Sequence, residues 1–229
     1  MKNSKRRNEM LKKVDPQKAY ELQEAMTLVK ENATAKFDET IELSVRLNVD
    51  PRKADQVIRG TVSLPNGTGK TVSVLVLCKE PKENEAKEAG ADYVGLEEFI
   101  SKIEGGWADV DAIVATPDVM KDVGKLGRVL GPRGLMPNPK AGTVTFDVGE
   151  AVTQLKAGRI EYRVDKYGNI HAAVGKASFS VESLVENVKT LLDQILKARP
   201  SVVKGKYVLN ISLSSTMGAG VRLDSAALV

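Results

Sequence analysis

Few side chains in this 229-residue chain are equipped for covalent or metal chemistry. Cys78 is the only cysteine and His171 the only histidine. One cysteine closes no internal disulfide, and a zinc site built on Cys and His would lack its ligands. His171 sits in a strand-like stretch with no obvious triad around it, so a structural or surface-facing histidine is expected rather than a general base. Gly69-Lys70-Thr71 invites a phosphate-loop reading, which fails on spacing. The leading glycine would fall on Leu64, and a strand-like run follows where that motif needs a helix. With no plausible acid and base pair, no catalytic residue, cofactor or metal is expected, and the chain reads as a non-enzyme.

Binding chemistry is better represented. In Phe37 to Val49 (FDETIELSVRLNV) the odd positions carry Phe37, Ile41, Leu43, Val45, Leu47 and Val49, and the even ones Thr40, Glu42, Ser44, Arg46 and Asn48. That alternation predicts a strand with one face on a core and a hydrogen-bonding face free, although a merely solvated strand would look much the same. Near the other end, Thr216-Met217-Gly218 sets a flexible apolar side chain beside a hydroxyl and an accessible backbone. This suits packing against ribose and base, and also an ordinary loop. Lys176-Ala-Ser178-Phe179 precedes a helix, where donors can meet phosphate or can simply cap. Residues 124–142 (GKLGRVLGPRGLMPNPKAG) space Lys125, Arg128, Arg133 and Lys140 among glycines, which fits a phosphate backbone or a structured α/β loop. Aromatic residues are 4% of the chain, too few for a base-stacking sheet, so any RNA would be read through shape, hydroxyls and backbone.

The elements that must position these residues follow from periodicity and punctuation. A short basic helix is expected over 4–13. A second starts at Asp15-Pro16 and runs to Asn32 on Tyr20, Leu22, Ala25, Met26 and Val29. The long strand ends at Asp50-Pro51, Ala54 to Arg59 is a polar loop, and Gly60 to Leu64 is a second strand. Past the turn cluster at 65–69, Thr71 to Leu77 is a nearly continuous apolar run, as in a strand buried on both faces. A helix over 82–89, a strand over 92–94, a helix over 96–103 and a strand over 111–115 complete a small parallel, Rossmann-like unit, and a helix over 147–157 follows. Strands are expected at 160–164 and 170–177 around a turn at 166–169. A helix then runs from an N-cap at Ser180 to Ala198, stapled by Phe179 and Leu184, and strands follow at 207–213 and 221–223.

The economical architecture is a discontinuous α+β first domain of the split β-α-β type, 1–66 with 159–229, and an inserted α/β domain, 67–158. Two consecutive domains are the alternative. Charge is uneven: residues 1–13 carry six bases against one acid, a net of +5, and 121–140 carry five against one, a net of +4. Residues 80–111 carry three bases against ten acids, a net of −7. Basic surfaces for a polyanion are implied, with an acidic region elsewhere. The start has no apolar stretch of the signal-peptide kind, and no run approaches about eighteen apolar residues, so neither secretion nor membrane spanning is expected.

Several of these stretches occur together in one family. GRVLGPRGLMPNPKAGTV at 127–144, GNIHAAVGKASF at 168–179, STMGAGVRLD at 215–224, FDETIEL at 37–43 and ATPDVM at 115–120 resemble the family of bacterial large-subunit ribosomal protein L one, over about residues 10–224. The resemblance implies the inserted two-domain architecture, a cytoplasmic, ribosome-bound protein that is monomeric when free, and no membrane partner. It implies binding to 23S rRNA in the mobile stalk, help in releasing deacylated tRNA from the exit site, and repression of its own operon mRNA. The implied rRNA and mRNA contacts are Lys36, Phe37, Thr40, Glu42, Lys176, Ser178, Thr216, Met217 and Gly218. Glu42, a carboxylate that RNA would bury, would accept from a ribose 2′-hydroxyl or an exocyclic amine. The residues expected to face tRNA, all in irregular segments, are Arg52, Lys53 and Arg59 after the long strand and Arg128 and Arg133 in the basic loop. An α/β enzyme whose middle unit holds a nucleotide or small phosphate is the competing reading.

Overall fold

The structure, a computed structural model, describes residues 5–225 and Leu228. In chain order the helices are α1 (Lys5–Lys13), α2 (Leu22–Asn32), α3 (Glu83–Glu88), α4 (Glu97–Glu104), α5 (Met120–Val123), α6 (Gly127–Leu130), α7 (Val148–Lys156) and α8 (Val181–Lys197). The strands are β1 (Thr40–Leu47), β2 (Arg59–Ser63), β3 (Val74–Leu77), β4 (Tyr93–Gly95), β5 (Ala112–Ala115), β6 (Arg159–Arg163), β7 (Asn169–Lys176), β8 (Val208–Ser215) and β9 (Val221–Leu223). Ser4, where the first helix was expected to begin, lies outside the described residues. The chain divides into two compact units, Met1–Gly69 with Ile160–Val229, and Lys70–Arg159.

In the first unit β7, β1, β8 and β9 form one sheet in that order, with β1 antiparallel to both of its neighbours. Ile41, Leu43, Val45 and Leu47 point into the core, as the alternation requires. The helices that cover this face carry matching stripes: Leu22, Ala25, Met26 and Val29 on α2, and Leu184, Val188, Leu191, Leu192 and Ile195 on α8. Ser180 caps α8, its hydroxyl accepting from the Ser183 amide at 3.1 Å. The opposite face of the sheet carries Glu42, Ser44, Arg46, His171, Ser212, Ser214 and Arg222.

The structure departs from expectation at two elements. Helix α2 starts at Leu22 and not at Asp15-Pro16, although Asp15 Oδ1 accepts from the Gln17 amide (2.9 Å) as a helix cap would. Tyr20 then extends along β9, its amide donating to Arg222 O and its carbonyl accepting from the Asp224 amide. A residue whose backbone groups are spent on a sheet is not part of a helix. Strand β1 is eight residues long, and Phe37 stands outside it, 54% exposed and off the core face. The strands expected on either side of the 166–169 turn are present as β6 and β7, and β6 joins β2 in a separate two-stranded sheet.

The second unit is built around a three-stranded parallel sheet, β4-β3-β5. Val74 and Val76 face α3 and α7, while Leu75 and Leu77 face α4, α5 and α6. Both faces are covered, which is why β3 reads as an unbroken apolar run. Cys78 continues it as a buried thiol whose pKa burial pushes up.

One buried polar side chain ties the first unit together. Asn187 on α8 is fully buried and donates to Val174 O (2.8 Å) and Gly67 O (3.0 Å) while accepting from the Asn66 amide (3.1 Å). Val174 lies at a bulge, where the register passes from Ile41↔Gly175 to Glu42↔Ala173. Replacing Asn187 by alanine leaves three backbone groups unpaired, at about 1–3 kcal/mol for a buried one. The expected outcome is a lower urea midpoint, corresponding to a loss of about 2 kcal/mol or more in unfolding free energy, and an unchanged midpoint would remove Asn187 from this role.

Candidate nucleic-acid interface

The sheet register brings the two ends of the chain together at one corner. Thr40 and Thr216 form its last rung: the Thr216 amide donates to Thr40 O (3.0 Å), and the Thr40 amide donates to Thr216 Oγ1 (3.0 Å). On the other side of β1, Lys176 Nζ donates to Thr40 Oγ1 (2.8 Å). Lys176 shares sequence parity with the core-facing Ile170, Ala172 and Val174, so an unbroken strand would bury it. The bulge at Val174 reverses the alternation and puts the ammonium beside Thr40. Gly175 sits at φ 155°, where a Cβ would meet Leu184 Cδ2 at 2.7 Å.

Ser178 is fixed to Asp38, its amide and hydroxyl donating to the two carboxylate oxygens at 3.1 and 2.7 Å. Phe37 and Met217 project beside this frame, 54% and 55% exposed. Lys36 is exposed next to Phe37. Gly218 closes the 215–218 turn, its amide donating to Ser215 O, and a Cβ there would collide with Ser215 Oγ. All nine contact residues implied by the resemblance belong to the first unit. Glu42 is on the open face and exposed, two rungs further along β1.

The residue that sequence reading missed is Glu39. It is 1% exposed, on the core parity of β1, directly between the site and the apolar interior. One carboxylate oxygen accepts from the Ala35 amide (2.8 Å) and from Arg6 of α1 (3.5 Å). The other accepts from Ser215 Oγ (2.7 Å) and the Met217 amide (2.9 Å). Burial works against the charge, but the Ser215 hydroxyl, the Met217 and Ala35 amides and the Arg6 guanidinium outweigh it, holding the carboxyl below its ordinary 4.5. The available signal was an acid at an odd position of an otherwise apolar parity, mirrored by Ser215 in the stripe of β8.

His171 stands on the open face between Ser44 and Asp165, with Nδ1 3.0 Å from Ser44 Oγ and Nε2 3.9 Å from Asp165 Oδ2. The second distance is beyond hydrogen bonding. Ser44 lies in an inner strand paired on both sides, opposite His171 on β7 and Ser212 on β8. Gly69-Lys70-Thr71 leads into the second unit's sheet, where Lys70 pairs with Asp111, which also accepts from the Ser73 amide and hydroxyl. Among the described residues no group of His, Cys, Asp and Glu is arranged to hold a metal ion. No helix among them is long and apolar enough to cross a membrane.

The residues expected to face tRNA separate into two sets. Arg52 and Lys53 are exposed on a loop held by Asp50, which accepts from the Arg52 amide (3.1 Å). Arg59 is not in that loop. It opens β2 and pairs with Glu161 of β6, so its guanidinium is engaged within its own sheet. Arg128 lies on the one-turn helix α6, not in an irregular segment, because Leu126 and Leu130 on either side turn into the core. Arg133 is exposed in the turn that follows. Arg128 and Arg133 are in the second unit, the other three in the first.

The sequence matches the ribosomal protein L1p/L10e family over residues 29–219, most of the chain. The chain belongs to the ribosomal protein L1p/L10e family. It is a large-subunit ribosomal protein, a component of a ribonucleoprotein, and is tied by family to the ribosome and its rRNA. The match takes in every one of the nine residues at the corner of the sheet.

Glu39 gives this corner a pH signature. Its folded pKa lies below the ordinary 4.5, so folding favours the ionised form. The stabilisation is complete above that value and is lost as pH falls through the lowered folded value. Thermal midpoints of the wild type and Glu39→Gln should differ by a constant amount from neutral pH down to about 5 and converge in stronger acid. A gap that stays constant to about pH 3 would show that ionisation is not what the site depends on.

Proposed function

We propose that this family member binds 23S rRNA directly through the corner formed by Lys36, Phe37, Thr40, Glu42, Lys176, Ser178, Thr216, Met217 and Gly218. The observation that carries the reading is the pair of exposed apolar side chains, Phe37 and Met217, set among hydroxyls and an ammonium on a hydrogen-bonded frame. A half-exposed phenylalanine or methionine is unfavourable in water and well suited to packing on a ribose or an unstacked base. Lys36 and Lys176 supply phosphate contacts, and Glu42 an acceptor for a 2′-hydroxyl. Recognition of this kind is binding without covalent chemistry.

The same reading makes the protein part of the mobile stalk that assists release of deacylated tRNA from the exit site. It also makes it a repressor of its own operon, the mRNA occupying the rRNA face. The two units then act as separate domains, 1–66 with 159–229 and 67–158, in a cytoplasmic protein that is monomeric off the ribosome. Arg52 and Lys53, with Arg128 and Arg133 on the second unit, are the exposed cations this role would use toward tRNA; Arg59 is already paired. Such contacts are screened and steeply salt dependent.

Filter binding to 23S rRNA tests the central part. Thr216→Val removes the hydroxyl of the terminal rung and is expected to weaken binding by about 1–3 kcal/mol. Met217→Asp, which sets a charge against RNA, is expected to cost more. Wild-type affinity in variants with unchanged circular dichroism would place the RNA site elsewhere.

A further inference from the structure

We infer that Glu39 is a positioning residue for RNA recognition: buried and fully hydrogen bonded, it fixes the spacing of Phe37 and Met217 before RNA arrives. The inference rests on the RNA-binding reading above and deepens it. The carboxylate does not face solvent, being 1% exposed, so it acts through what it holds. Its two oxygens are divided between the chain's two ends. Oε1 takes the Ala35 amide, two residues before Phe37, and Oε2 takes the Met217 amide itself. Ser215 and Arg6 complete the shell.

Only a carboxylate satisfies both amides. Glutamine has nearly the same size and shape but offers one acceptor oxygen and one NH2 group. Whichever way it is turned, either the Ala35 amide or the Met217 amide faces an N–H donor. Ser215 can rotate its hydroxyl to accept from that NH2; a backbone amide cannot. Glu39→Gln therefore frees one of the two segments while leaving the hydrophobic core intact. A segment ordered only on binding loses conformational freedom at that step, and affinity falls accordingly.

The test uses the full chain and 23S rRNA, well below the thermal midpoint of every variant. Glu39→Gln is expected to weaken binding about ten-fold or more. The same substitution is then made in a Phe37→Ala/Met217→Ala background. If Glu39 acts by placing those two side chains, its loss costs little further there, so the effects are strongly non-additive. Ser215→Ala, which removes one donor and keeps both amides paired, should show a smaller loss with the same non-additivity, and carries the test if Glu39→Gln does not fold. Wild-type affinity for both Glu39→Gln and Ser215→Ala overturns the inference. So does an equal loss in both backgrounds, which would mean a general structural role. If Phe37→Ala/Met217→Ala itself binds like the wild type, the RNA face has been misplaced and the positioning role falls with it. Loss in that background with none in Glu39→Gln and Ser215→Ala would remove the positioning role alone.

Discussion

Everything distinctive in the first unit depends on β1 being paired on both sides. An inner strand between β7 and β8 places residues 176 positions apart along the chain within hydrogen-bonding distance. The Thr40–Thr216 rung, the Lys176 contact and the shared grip on Glu39 all follow from that register. Contacts of such separation form late and slowly in folding, since a long loop must close before any of them is rewarded. They are also what lets a site be assembled from segments that carry little meaning singly.

The corner solves a problem of exposure by burying a charge beneath it. Two half-exposed apolar side chains on flexible segments would ordinarily collapse onto the nearest core. Here the segments are tied from below by an ionised carboxylate, and an ionised carboxylate in an apolar layer is tolerable only with its acceptor positions filled. Glu39 has two backbone amides, a hydroxyl and a guanidinium, drawn from four separate positions along the chain. Gly218 belongs to the same arrangement, because any side chain there would push on the Ser215 hydroxyl. The second unit follows a different logic, with a parallel sheet covered on both faces and its exposed arginines on and beside a one-turn helix.

Much of this was legible from the residues. The alternation of β1, the stripe and cap of α8 and the apolar run of β3 each predicted the right element, because burial on one face, one stripe or two faces leaves a direct trace in residue order. What escaped was decided by tertiary pairing. Tyr20 fits a helical stripe as well as it fits a sheet edge, and only β9 determines which. Phe37 has the parity of the core but lies beyond the last rung of the strand. Lys176 crosses to the open face through a bulge, and Arg59 finds Glu161 across a sheet whose two strands are separated by the whole second unit. Glu39 was visible as an acid on an apolar parity, yet its meaning needs the register that sets Ile41 opposite Ser215.

The proposed RNA-reading face joins the two ends of the chain. Site-specific photocrosslinking from position 37 and, separately, from position 217, each in the otherwise unaltered protein bound to 23S rRNA, tests it most directly. Crosslinks are expected from both positions, mapping to neighbouring nucleotides of a single rRNA segment. Crosslinks to distant segments, or from one position alone, would contradict it.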